Sequence, residues 1–83
     1  MASKLSTELR HRASEIYQER LRDRLEATNL DDFVAIEPES GDFFLGKTLS
    51  EAIQAARMAY PARLPFVFRV GHQSTVEIGV MAP

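Results

Sequence analysis

The sequence predicts an α+β fold: a long N-terminal amphipathic helix, then a β-hairpin, a second helix and another hairpin building one small sheet. Three observations predict it. Residues 4–28 contain no Gly or Pro and carry apolar side chains at helical spacing. Beyond Asn29, short apolar runs rich in strand formers alternate with turn residues. Between two pairs of such runs stands a T-x-x-E helix start, followed by an apolar face and a proline stop.

Eighty-three residues make one domain, 1–83, divided into an N-terminal helix (1–29) and a ββαββ body (30–83). Area scaling gives about 5,000 Å² exposed when folded against about 13,600 Å² unfolded, enough for one modest core. With no cysteine, neither a disulfide framework nor a cysteine-ligated zinc is available to support that core. Dimerisation is the remaining common supplement. The charge balance, 12 acidic against 10 basic residues, lacks the basic excess of nucleic-acid binders. No apolar stretch approaches the roughly 20 residues that span a bilayer, and the N-terminus lacks a signal-peptide core. A cytoplasmic location is the expectation.

In the first helix, Leu5, Leu9, Ala13, Ile16 with Tyr17, Leu21 and Leu25 form the apolar stripe. Charge pairing is mixed, since Glu8 supports Arg12 while Glu15 opposes Glu19. Arg12, Glu19 and Asp23 fall on would-be core positions of a heptad, so the helix packs on something other than a long coiled coil. At 1.5 Å per residue it runs to about 37 Å, against about 30 Å for a compact globule of this size. From that mismatch follows an expectation that part of the helix protrudes or is shared, giving a homodimer.

Phe33-Val34-Ala35-Ile36 and Phe43-Phe44-Leu45 read as paired strands joined through Glu37-Pro38-Glu39-Ser40-Gly41-Asp42. Gly46 ends the second strand. Thr48 and Glu51 form a capping box, Leu49, Ala52, Ile53, Ala56 and Tyr60 make one helix face, and Pro61 stops the helix. A third strand covers residues 66–70, Gly71-His72-Gln73-Ser74 turns, and residues 75–80 alternate as an edge strand. Side-chain alternation sends Val67 and Phe44 (or Phe43) away from the face holding Phe66, Phe68 and Val70, so both sheet faces need cover. The second helix is expected on one face. The first is expected on the other, folded back in its own subunit or swapped into a second.

Gly41-Asp42-Phe43-Phe44-Leu45-Gly46-Lys47-Thr48 matches the phosphate-loop pattern G-x-x-x-x-G-K-[ST], between a strand and a helix. In the functional reading Lys47 meets phosphate oxygens and Thr48 meets magnesium. Against it, Phe43-Phe44-Leu45 would surround a polyanion with apolar groups, and Asp42 would add negative charge. The chain is also too short for the further parallel strands of that fold. The sequence is therefore read without a cofactor. His11 and His72 have no spacing that makes a metal site. Ser74, His72 and Asp42 assemble a hydrolase set only on paper, and no carboxylate pair is placed by spacing. No catalytic or metal residue is assigned, and the chain is read as not an enzyme.

Arg10, Arg12, Arg20, Arg22 and Arg24 decorate the first helix, but Glu8, Glu15, Glu19, Asp23 and Glu26 interleave with them. A solvated face is the preferred reading, with a dimeric nucleic-acid-binding regulator as the alternative. The preferred function is a non-enzymatic protein-binding module. Its expected partner or dimer contacts are Leu9, Ile16, Tyr17, Leu21, Leu25 and Val67.

The stretch from Phe33 to Gly79 resembles a group of small uncharacterised bacterial proteins. The resemblance is carried by Glu37-Pro38 with Ser40-Gly41-Asp42, by Thr48-Leu49-Ser50-Glu51-Ala52 and by Arg69-Val70-Gly71. More distantly, a hairpin followed by Gly46, Thr48, Glu51 and Ala52 is similar to antitoxins of the HicB type. This resemblance implies a non-catalytic role and an adjacent gene product as partner. The chain departs from that family in lacking a C-terminal DNA-binding region and in carrying its extra helix at the N-terminus.

Overall fold

A computed structural model describes residues 4–72 and 75–76, with side chains described from Thr7 to His72. The fold is α+β. Helix α1 (Lys4–Ile16) passes through a π turn (Tyr17–Leu21) into α2 (Arg22–Thr28), making one continuous rod. Strands β1 (Phe33–Ile36) and β2 (Phe43–Gly46) precede helix α3 (Leu49–Ala59), then β3 (Phe66–Arg69) and β4 (Thr75–Val76). The expected third strand thus ends one residue early. Of the expected fourth, residues 77–80 lie outside the described residues.

The π turn has a cause in the sequence. Leu9, Ala13, Tyr17, Leu21 and Leu25 repeat every fourth residue. Four residues of α-helix turn about 400°, so each step overshoots by about 40°, and four steps carry the stripe nearly to the opposite side. The wider turn, closed by the Arg22 N–H donating to the Tyr17 carbonyl five residues back, removes part of that drift. Ala13, Tyr17, Leu21 and Leu25 all end up buried on the sheet.

All pairings in the sheet are antiparallel, in the order β2-β1-β3-β4. Strands β2 and β3 flank β1, so they run parallel to each other without touching, and α3 crosses over β1 to connect them. The registers Ile36 with Phe66 and Val34 with Phe68 place these four side chains on one face. That face, with Val70, packs against the rod. Ala35 and Val67 occupy the other face and pack under Ala52 and Ala56 of α3, with Phe44 beside them.

Val67 lies under α3, on the sheet face opposite the one packed by Leu9, Ile16, Tyr17, Leu21 and Leu25 of the rod. The rod also lies over its own sheet. The molecule measures 35 × 22 × 21 Å, its long dimension close to the length of the rod.

Tyr17 is the anomaly in this core. Its ring stacks on Phe68 with centroids 4.9 Å apart and planes 6° from parallel. Among the described residues its buried hydroxyl has no hydrogen-bond partner. Burial pushes the phenol pKa upward, and the backbone of Gly71, near but without acceptable hydrogen-bond geometry, offsets only part of that. Leaving such a group unsatisfied costs about 1–3 kcal/mol. Tyr17→Phe keeps the stack and removes the orphaned hydroxyl. Urea denaturation of this variant is expected to show a gain of about 1 kcal/mol. A loss of that size would mean the hydroxyl has a partner.

Candidate functional site

Every residue in the phosphate-loop match has a structural task. Gly41 takes φ 84° in the β1–β2 turn, where a side chain would be strained. Phe43 to Gly46 are a strand, so the amides of Phe44 and Gly46 face β1 rather than a ligand. At Gly46 a Cβ would lie 2.5 Å from the Ala52 nitrogen and 2.8 Å from Glu51 Cβ, so α3 can approach β2 only over a glycine. The Thr48 hydroxyl accepts from the Glu51 N–H at 3.1 Å, and Glu51 Oε1 accepts from the Lys47 N–H at 2.9 Å. This is a capping box displaced by one residue at its return bond. Lys47 Nζ lies 3.4 Å from Asp32. The motif is a helix start.

The turn between β1 and β2 is the most polar construction in the molecule. Glu37 is 1% exposed. Its carboxylate accepts from the N–H groups of Ser40 at 2.7 Å and Glu39 at 3.1 Å, and from Arg63 Nη1 at 3.2 Å. Burial alone would raise its pKa, but the hydrogen bonds from Ser40 and Glu39, with the Arg63 charge, outweigh that and hold it below the usual range. Asp42 at the far side of the turn accepts a short hydrogen bond from the Tyr60 hydroxyl. The Tyr60 ring meets Phe44 edge-on at 6.2 Å, and the Arg63 guanidinium stands 5.7 Å from its centroid. The segment after α3 therefore clamps the hairpin turn. These contacts staple the β1–β2 turn to the chain that leaves α3.

The opposite end of the sheet carries a second polar group. Asp31 (φ 72°) donates its N–H to the Val70 carbonyl at 3.0 Å, and its carboxylate meets His72 Nε2 at 2.8 Å. His72, on Asp31, and Asp42, opposite Glu37, thus sit beyond opposite ends of β1, about 20 Å of strand apart, and Ser74 lies outside the described residues. His11 pairs with Glu15 on the rod at 3.4 Å. Among the described residues no group of three or more His, Asp or Glu side chains is placed to hold a metal. No helix among them is long and apolar enough to cross a membrane.

The expected partner contacts are internal. Ile16, Tyr17, Leu21 and Leu25 are buried against the sheet, Leu9 packs at its margin, and Val67 is sealed under α3. Outside, the rod presents Arg10, Arg12, Arg20, Arg22 and Arg24 among exposed acidic residues, with Arg22 3.8 Å from Asp23. A groove of about 320 Å³ between α1 and β3 is lined by Thr7, Arg10, His11, Ser14 and Phe68.

The feature that sequence reading missed is the outer edge of β2. It is the end strand of the sheet, and its residues Phe43, Phe44 and Gly46 are only half-buried, with Leu45 38% exposed. The Glu37 N–H donates to the Asp42 carbonyl at 2.9 Å, which marks that pair as hydrogen-bonded. Alternation then makes Ala35–Phe44 and Phe33–Gly46 hydrogen-bonded pairs as well. The N–H and C=O groups of Phe43 and Leu45 therefore point outward, away from β1. The only signal available earlier was the run of apolar residues without Lys or Pro, which a central strand would share.

Gly46→Ala is expected to lose about 1–3 kcal/mol in chemical denaturation, as forced overpacking does, with helix content retained. An unchanged midpoint would mean α3 can shift. Because the Glu37 pKa is lower folded than unfolded, its contribution is present above the unfolded value near 4.5 and fades as pH falls through the folded one. Glu37→Gln is expected to cost about 1–3 kcal/mol at neutral pH. Its stability should fall less than that of the parent as pH drops below 4.5. Parallel pH profiles for the two proteins would contradict the assignment.

Compared with known proteins, the chain matches no family model, and no curated protein or solved structure matches it significantly.

Proposed function

We propose that this chain is a non-enzymatic protein-binding module, antitoxin-like or an accessory subunit, that docks protein by strand addition along β2. The observation that carries the reading is an apolar strand edge, unpaired among the described residues, in a sheet whose two faces are covered. Strand addition draws its affinity from main-chain hydrogen bonds and its specificity from alternate side chains. Proteins that gain nothing from an open edge blunt it with lysine, proline or a bulge. Phe43-Phe44-Leu45-Gly46 carries none of these. The resemblance of Gly46, Thr48, Glu51 and Ala52 to HicB-type antitoxins favours a protein ligand, and a neighbouring gene product is the first candidate beyond the chain itself.

Leu45→Pro tests the reading without breaking the sheet. The Leu45 N–H points outward, so a proline ring removes no ladder bond while blocking an added strand. Native-host purification is expected to yield a stoichiometric protein partner, self or other, with the parent chain. That partner should be lost with Leu45→Pro at unchanged circular dichroism. Equal recovery by both proteins would remove the β2 edge from the reading.

A further inference from the structure

We infer that the strand filling the open β2 edge is β2 of a second copy, so that two sheets join across a twofold axis at Phe44. The inference rests on the strand-addition reading above and names its occupant. Only residues whose backbone groups point outward can bond across a new antiparallel seam, and in β2 these are Phe43 and Leu45. With Phe44 on the axis, Phe43 of each copy meets Leu45 of the other. All four outward residues are then matched within the strands. Centring on Phe43 or Leu45 instead would pair an outward residue with Gly41 or Lys47, outside the strand.

Charge favours the same arrangement. Asp42 precedes β2 and Lys47 follows it, and Lys47 is 80% exposed. Antiparallel pairing brings the acidic end of one strand to the basic end of the other, whereas parallel pairing would set like charges side by side. Both packing layers would also continue through the seam. Phe43 belongs to the rod-side core and Phe44 to the α3-side core, and both are now only half-buried. The pair Phe44–Phe44 would be a non-hydrogen-bonded one, in which Cα atoms lie about 4.5 Å apart and side chains are closest.

The test is sedimentation equilibrium of the purified full chain, alone, across a concentration series. The parent is expected at twice its 9.4 kDa mass. Leu45→Pro and Leu45→Lys should each sediment at the mass of one chain with unchanged circular dichroism. The chain has no cysteine, so Phe44→Cys supplies a single thiol. At the axis it should form a disulfide-linked dimer under mild oxidation, while Ser50→Cys, on the exposed side of α3, should not. A parent chain that stays monomeric up to millimolar concentration overturns the inference, as does a dimer that survives both Leu45 substitutions. If the parent is monomeric while Leu45→Pro still abolishes capture of a different protein, strand addition stands and only the second copy is refuted. If neither association responds to Leu45, both fail together.

Discussion

Three consecutive residues in the middle of the sheet, Val34, Ala35 and Ile36, are wholly buried. Because alternate side chains in a strand point to opposite faces, a run with no exposed member requires cover on both sides. The rest of the molecule answers that requirement. One layer is supplied by α3 and the other by the rod. The contrast between the two layers also follows from β1. The face that carries Ala35 admits a close helix lined by Ala52 and Ala56, whereas the face that carries Val34 and Ile36 meets larger groups, Tyr17, Leu21 and Leu25.

Close approach on the α3 side explains why so much of the distinctive sequence is structural. Gly46 removes a side chain where α3 crosses, Thr48 starts the helix there, and Lys47 supplies an amide to Glu51 and a charge to Asp32. These are the residues that imitate a phosphate loop. The imitation is physical in origin, because a tight strand-to-helix junction needs glycine for proximity and a hydroxyl for capping whether or not an anion is bound. The polar turn at Glu37 is similarly accounted for. Three donors satisfy its carboxylate, and Tyr60 and Arg63 tie the hairpin to the chain leaving α3. Once these tasks are assigned, the β2 edge still presents half-buried apolar side chains and outward-pointing backbone groups.

The rod shows how a local irregularity can serve global packing. A stripe with a strict four-residue repeat suits neither an α-helix nor a heptad coiled coil. In isolation it would wind around the helix and could not face a nearly flat sheet. The π turn reconciles the repeat with the sheet and lands Tyr17 directly over Phe68, at the expense of its hydroxyl. An apolar phenylalanine would serve that contact as well, so the tyrosine is the residue in the core whose chemistry the packing does not require.

Elements were legible in the sequence wherever a local rule governs them. Residues 4–28 are helical because nothing in them breaks a helix. The hairpin turn is marked by Pro38 and Gly41, and the second helix is bounded by Thr48 and Pro61. Alternation put Val67 opposite Phe66 and Phe68 but left open whether Phe44 or Phe43 joins it, which the structure resolves as Phe44. Local rules cannot say which helix covers which face, since both apolar faces accept either one. They could not show that the rod stays on its own sheet, which depends on the overall shape, nor that the repeat would be absorbed as a π turn. They also could not separate β2 from β1, because the two strands are equally apolar and edge position is a property of strand order alone. The sequence by itself determined the class of fold and the absence of cysteine chemistry. Tertiary structure decided which residues were sealed away and which strands lie at the edges of the sheet, because burial and strand order arise only from contacts between segments distant along the chain.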